Sequence, residues 1–187
     1  GYTTCMTIRE WLTLTAGILE SSSDTPALDA ELLLADELVK SRSWLFAHDD
    51  EEISADKQNN LELKVERRRA NEPLAYIREK VEFFGRKYSI NNHVLVPRPE
   101  SEALIELGTK LSKDIVAAGQ IKIADIGSGS GVLGITLALE LGGDTRPDFY
   151  DVDGNTLILA EKNAQLYGVR GKYIQSDLLE AIAVPYD

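Results

Sequence analysis

The feature that most restricts how this chain can fold is the run Ile123-Ala124-Asp125-Ile126-Gly127-Ser128-Gly129-Ser130-Gly131. A short β-branched stretch passes into alternating glycines and then into an apolar helical pattern, Val132 to Leu141. Glycines are needed at such a junction when a tight turn must bring backbone N–H groups and a helix N-terminus close to a ligand, leaving no room for Cβ atoms. The pattern then repeats as strand and helix. Pro147 to Val152 reads as a strand, Asn155 to Tyr167 as a helix, and Lys172 to Gln175 as a third strand. Alternation at this spacing predicts a parallel sheet with right-handed crossovers. Complete doubly wound sheets have about five or six strands, so the sheet reads as incomplete, with the next strand due at Pro185-Tyr186-Asp187.

Upstream, residues 7 to about 71 read as helices. Ile8, Trp11, Leu12, Ala16 and Leu19 recur at helical spacing, and Ser21-Ser22-Ser23 ends the run. Asp24 is placed to cap a second helix with Pro26 in its first turn and an apolar face of Leu28, Leu32, Ala35, Leu38 and Val39. A turn at Ser43-Trp44-Leu45-Phe46 precedes a helix from about Ser54 to Ala70, whose apolar face is little more than Leu61 and Val65. At Glu72-Pro73 the character changes. Val81 to Ile90, a turn at Asn91-Asn92 and a strand from His93 to Val96 predict a β-hairpin. Pro97-Arg98-Pro99 then sets up a helix with Glu100 and Glu102 in its first turn and Leu104, Leu107 and Leu111 on its buried face. The divisions are 1–72 helical, 73–98 hairpin linker, and 99–187 α/β, with Gly1–Cys5 read as an extra leader before a start at Met6.

Composition narrows the function classes. A net charge of -11 opposes a nucleic-acid or anionic-membrane surface built on bulk charge. No apolar stretch approaches the ~18 to 20 residues that span a bilayer. The single cysteine, Cys5, allows no intrachain disulfide and no cysteine-based zinc site. His48 and His93 lie far apart, so no metal site is expected. With no secretory signal the expected compartment is the cytoplasm.

About twenty residues beyond the glycines, Asp151 ends the second strand, placed to accept hydrogen bonds from ribose hydroxyls. Asp177 follows the third strand at the same edge, as a helix cap or as a partner for an adenine amino group, with Leu178 beside it to cover the ring. Two ligand classes fit. Gly129-Ser130-Gly131-Val132-Leu133-Gly134 matches the dinucleotide pattern G-x-G-x-x-G, which would make the protein an NAD(P)- or flavin-dependent oxidoreductase. Against that, the cluster begins earlier, at Gly127 after Asp125, and a hairpin and an amphipathic helix precede the first strand.

Taken together, the segments resemble one family, the HemK-type release factor glutamine methyltransferases. Leu28-Asp29-Ala30-Glu31-Leu32-Leu33-Leu34-Ala35 is similar to its N-terminal helical domain. Glu72-Pro73-Leu74-Ala75-Tyr76-Ile77, Glu82-Phe83-Phe84-Gly85 and Val96-Pro97-Arg98-Pro99-Glu100-Ser101-Glu102 are similar to its linker hairpin and the segment after it. Lys162-Asn163-Ala164 adds to the likeness. The resemblance implies a small N-terminal all-α domain, a β-hairpin linker and an incomplete Rossmann-like core. It also implies S-adenosylmethionine across Gly127, Ser128, Gly129, Ser130 and Gly131 with Asp125 at their start, its ribose on Asp151 and its adenine near Asp177 and Leu178. The acceptor would be a glutamine side-chain amide in peptide chain release factors.

No Asn-Pro-Pro-Tyr segment, which carries that family's chemistry, occurs in the chain. No catalytic residue is therefore assigned, and the chain by itself is expected to be inactive. Arg98 and Glu102 are expected to line the entrance to the cofactor crevice. Lys64, Arg67, Arg68 and Arg69 read as a solvated helix end, and are the one hint of docking in the front domain. A binding module without activity is the third reading. Ile121 to Ile126, left as an unpaired apolar edge, predicts a dimer, a swapped strand or poor solubility.

Overall fold

The computed structural model describes residues 6–112, 121–182 and 186. The Gly1–Cys5 leader, and Pro185 and Asp187 of the expected next strand, lie outside them. The chain divides into two compact units, Gly1–Arg78 and Glu79–Asp187.

The first unit is helical. A short strand β1 (Met6–Thr7) leads into α1 (Ile8–Leu19), and α2 (Pro26–Leu38), α3 (Arg42–Ala47), β2 (Glu52–Ile53), α4 (Ala55–Arg69) and α5 (Leu74–Arg78) follow, with β1 and β2 paired antiparallel. α1 starts where it does because Thr7 and Glu10 form a reciprocal capping box, each side chain meeting the other's backbone N–H. α2 has Pro26 at its first position after Thr25, and no side chain caps it, so Asp24 does not take the capping role read from the sequence. The segment expected as a turn at Ser43–Phe46 is a helical turn instead, because the Ser41 hydroxyl accepts the Trp44 N–H and starts α3. Ile8, Trp11, Leu19, Leu33, Leu34, Leu45, Ile53 and Leu61 make one buried core. Ile77 of α5 joins that core, so the unit runs past the Glu72 boundary to Arg78.

The basic helix end is not a free face. Lys64 pairs with Glu37, Arg67 with Glu72, Arg68 with Asp29 and Arg69 with Glu66. The Arg68 and Asp29 side chains keep only 16% and 6% of their surface.

The second unit opens with the hairpin β3 (Lys80–Phe83) and β4 (Arg86–Ser89), which turns at Phe84-Gly85 and not at Asn91-Asn92. Phe84 and Gly85 both take positive φ, 51° and 69°, the requirement of a tight two-residue hairpin turn. An aromatic residue in that position disguised the turn as strand. His93 to Val96 is correspondingly not a strand. A 3-10 turn (Pro99–Ser101) leads to α6 (Glu102–Leu111). Its inward face carries Ile105 and Gly108, and Leu104, Leu107 and Leu111 are exposed. Gly108 brings α6 so close to the next helix that an added Cβ would lie 3.2 Å from Leu137. A glycine seam of this kind carries no apolar signal.

β5 (Lys122–Ile126), α7 (Val132–Leu141), β6 (Arg146–Asp151), α8 (Gly154–Leu166) and β7 (Lys172–Gln175) form a parallel sheet in the order β5-β6-β7, with Asp125 opposite Phe149 and Asp151 opposite Gln175. This is the alternating α/β architecture the sequence predicts. Phe149, fully buried, stacks on Tyr173 at 5.2 Å and packs under the helices. On the opposite face the Tyr186 hydroxyl meets that of Tyr150 at 2.6 Å and donates to the Asp148 carboxylate at 2.9 Å. β5 lies at the sheet edge among the described residues.

Candidate functional site

The loop between β5 and α7 is built by three glycines in the left-handed region, Gly127 (φ 68°), Gly129 (φ 51°) and Gly131 (φ 74°), a backbone path that L side chains rarely follow. Neighbouring strand β6 holds it from one side. The Gly127 and Ser128 N–H groups both donate to the Tyr150 carbonyl, at 2.8 and 2.9 Å. The Gly129 N–H donates to the Asp151 carboxylate at 2.9 Å, whose second oxygen accepts the Asp153 N–H at 3.1 Å.

Asp125, one residue before the end of β5, turns under the helix rather than toward the ligand edge. Its carboxylate accepts the Gly134 N–H at 2.9 Å. Gly134 is the third residue of α7, whose N-cap, Gly131, has no side chain to offer. Asp125 therefore caps α7 from the preceding strand. Burial pushes its carboxyl up to about 6, against the pull of the Gly134 N–H and with Asp151 nearby adding to the rise. The same contact explains Gly134, where a Cβ would sit 2.8 Å from the Asp125 Oδ2 and 2.9 Å from Phe149.

Two depressions open along the carboxyl edge of the sheet. The first is lined by Leu95, Val96, Pro97, Arg98 and Ser101 on one wall and by Gly127 to Ser130, Val132 and Leu133 on the other. Ser128 is 8% exposed, and its Oγ has no hydrogen-bond partner among the described residues. An orphaned buried hydroxyl in a pocket wall fits a polar group of a ligand. The second depression is lined by Val152, Gln175, Ser176, Asp177, Glu180 and Ala181. Asp151, at the end of β6, lies between Gly129, which it bonds, and Val152.

Ser128, Ser130, Gly127, Gly129 and Arg98 thus share the first depression and Asp177 lines the second. Four expected residues sit elsewhere. Gly131 is the N-cap of α7 and faces Ala160 and Ile135. Asp125 caps α7. Glu102 is not at the entrance: it accepts the Phe84 N–H at 2.8 Å and ties α6 to the hairpin turn. Leu178, at φ 48°, is exposed and lines neither depression, and its carbonyl accepts the Ser176 hydroxyl at 3.2 Å. A larger cavity lies at the opposite, amino end of the strands, among Ile121, Lys122, Arg146, Asp148, Arg170 and Lys172. Ligands of open α/β sheets bind beyond the carboxyl ends, where helix N-termini converge, so the glycine edge is the candidate site.

One residue bonded to the glycine loop escapes a reading of the residues by type. Asn163 of α8 is fully buried. Its Oδ1 accepts the Ser89 N–H at 2.8 Å, and its Nδ2 donates to the carbonyls of Ser89 and Ser130, both at 2.9 Å. An asparagine among Leu159, Ala160 and Ala164 on the buried helix face was the available signal.

Residues 10–78 match the PrmC N-terminal domain, and residues 101–187 match the methyltransferase small domain. A release factor glutamine methyltransferase of Coxiella burnetii is 37% identical over 156 residues, 81% of this chain and 53% of that one. One of Vibrio cholerae is 38% identical over 160 residues, covering 82% and 54%. One of Chlorobaculum tepidum is 31% identical over 184 residues, covering 94% and 62%. The chain spans about half the length of the first two of these relatives.

Proposed function

We propose, from the premise that the chain belongs to the release factor glutamine methyltransferase family, that it holds S-adenosylmethionine along the glycine edge of its sheet for methylation of a release factor glutamine. The observation that carries this reading is the glycine loop pinned to the Asp151 carboxylate beside the orphaned Ser128 hydroxyl. Bound there, S-adenosylmethionine supplies a methyl group on a sulfonium sulfur.

The residues present fit such a group. Ser128 and Arg98 line the first depression, where a hydroxyl and a guanidinium suit the polar, partly anionic amino-acid tail of the donor. Asp151 is placed for ribose hydroxyls, since each carboxylate oxygen accepts more than one bond. Asp177 lines the second depression, which suits an adenine amino group. Leu95, Val96, Pro97, Val132 and Leu133 give the first depression apolar walls that exclude water from the donor side.

The acceptor is a glutamine side-chain amide, whose lone pair is delocalised and weakly nucleophilic. Its methylation forms an N–C bond, breaks the S–C bond and releases one amide proton, so positioning contributes more than a strong base. This chain's share is the donor half of that alignment. Gly134 packs α7 against Asp125 and Phe149 whichever ligand is bound, so the dinucleotide alternative is separated by ligand titration.

The test is calorimetric titration of the full-length protein with S-adenosylmethionine and, separately, NAD, followed by mass measurement of a release factor after incubation. The reading expects heat with the first ligand only and a gain of one methyl on a glutamine. Binding of NAD without S-adenosylmethionine would overturn it.

A further inference from the structure

We infer that Asn163 is a positioning residue that sets the spacing between the two walls of the first depression, and through it the affinity for the methyl donor. This rests on the proposed function for the identity of the ligand.

The two walls come from distant parts of the sequence. One is the segment that leaves the hairpin, Leu95 to Ser101, and the other is the glycine loop. Val94, just before the first wall, comes 3.8 Å from where a Cβ on Gly129 would stand, an apolar approach with no directional preference. Asn163 supplies the direction. One amide group holds both backbone groups of Ser89, at the end of β4, and the Ser130 carbonyl, inside the glycine loop. All three bonds are buried or half-buried, where geometry is tight and an unpaired carbonyl is costly.

A neighbouring contact provides an internal control. Tyr167, one helical turn beyond Asn163, holds the same strand in the same two-way manner: its hydroxyl accepts the Lys87 N–H at 2.9 Å and donates to the Lys87 carbonyl at 2.7 Å. It does so without touching the glycine loop. Tyr88 and Thr136 add a third anchor at 2.8 Å between the hairpin and α7. The hairpin is therefore docked several times over, and Asn163 is the anchor that also reaches the loop. Docking the hairpin and spacing the loop are thus separable.

The experiment compares Asn163→Ala, Asn163→Asp and Tyr167→Phe in the full-length protein. Asn163→Asp retains the bond accepted from the Ser89 N–H and loses both bonds that the amide donates, to the Ser89 and Ser130 carbonyls. Two quantities are read: the dissociation constant for S-adenosylmethionine, and amide hydrogen exchange without ligand in peptides covering Lys87–Ile90 and Gly127–Gly131. Both Asn163 variants should weaken donor binding about tenfold, the loss of one well-placed hydrogen bond. Exchange in the glycine loop should rise in both, and near Ser89 mainly in Asn163→Ala. Tyr167→Phe should raise exchange at Lys87 and leave the dissociation constant within about twofold.

Wild-type affinity in both Asn163 variants would overturn the inference, as would equal weakening by Tyr167→Phe. Loss of the folded state in both Asn163 variants would also overturn it, because the role would then be general stability. Should the wild-type protein fail to bind S-adenosylmethionine, the proposed function falls. The exchange measurements, which need no ligand, then decide by themselves whether Asn163 spaces the loop.

Discussion

In the helical unit two carboxylates that reach inward between helices each meet an arginine, whereas Asp125, at the heart of the α/β unit, meets a backbone amide. Arg68 closes on Asp29 at 2.6 Å, and that carboxylate also accepts hydroxyl bonds from Ser23 and Thr25. Arg78 closes on Asp36 at 2.7 Å, both side chains about a fifth exposed. In the α/β unit Asp125 accepts the Gly134 N–H, and neutral groups, Asn163, Tyr88 with Thr136, and Tyr167, anchor the hairpin beside one ion pair, Arg86 with Glu140. The difference follows from task. A carboxylate already neutralised by an arginine can stitch helices together. Asp125 instead commits its carboxylate to the N-terminus of α7, where a backbone N–H and the helix dipole take the place of a cation.

The largest expected effect breaks the first half of this comparison. Arg68→Ala leaves Asp29 largely buried and without its cation, and should lower stability by about 3 kcal/mol in urea unfolding. Replacing both members by leucine should recover most of that loss, since a buried pair often does no better than a packed apolar substitute. If the single variant unfolds at the wild-type midpoint, the pair is a surface contact and the contrast between the units disappears.

The second effect separates the units by the sign of their pH response. Asp125 has a folded value of about 6 against an ordinary 3.8, so between pH ~4 and ~6 the folded chain holds a proton that the unfolded chain releases. Stability from this group is therefore present below pH ~4 and is lost as pH rises through ~6, by no more than about 2 to 3 kcal/mol. Glu10 and Glu72 of the helical unit go the other way. The Thr7 backbone N–H holds Glu10 low and the Arg67 guanidinium holds Glu72 low, so their contributions are present at neutral pH and lost on acidification. Exposed Asp144 in the α/β unit shares that second sign, held low by Arg146, so the comparison is a difference between wild type and Asp125→Asn. The variant should lose the fall in thermal midpoint between pH 4 and 6. An unchanged pH profile would show that the carboxylate is solvated.

These residues also show what a sequence reading reaches. The alternation of β5, α7, β6, α8 and β7 was readable because buried parallel strands and their helices carry strong apolar periodicity. The glycine loop was readable because few other settings need three such glycines. What the periodicity could not show was direction. Leu104, Leu107 and Leu111 form as good a helical stripe as any, yet α6 buries Ile105 and Gly108, because the close approach to Leu137 selects a small residue. Asp125 and Glu102 were placed at the cleft by residue type, whereas a backbone N–H, of Gly134 and of Phe84, claims each of them. Backbone donors leave no trace in a sequence, so side chains committed to them look free. Asn163 was hidden for the same reason.

The steric side of the same contact gives a third expectation. Gly134→Ala would bring a methyl within 2.8 Å of the Asp125 carboxylate and 2.9 Å of Phe149. Helix propensity favours alanine by about 1 kcal/mol, and overpacking opposes it by about 1 to 3 kcal/mol. A net loss of up to about 2 kcal/mol in thermal unfolding is expected. A stabilised variant would mean that α7 can shift away from β5 at little cost.

The smallest effect compares the ways the two units start a helix. α1 is capped by its own neighbour, Thr7, within a local box, while α7 is capped by Asp125 from across the strand–helix junction. Thr7→Ala removes the acceptor of the Glu10 N–H and should lower stability by about 1 kcal/mol, the usual effect of losing a local cap. Because Glu10 can still accept the Thr7 backbone N–H at 2.9 Å, the start of α1 should stay in place and fray by no more than its first turn. Hydrogen exchange at Arg9 to Leu12 would register this. A local cap is lost alone, and its helix keeps the packing of Ile8 and Trp11. A distant cap also fixes the register of a strand against a helix, so Asp125→Ala should raise exchange across Val132 to Gly134 and in the glycine loop together. Exchange confined to α7 in that variant would mean that the glycine loop keeps its shape from the Tyr150 carbonyl and Asp151 alone.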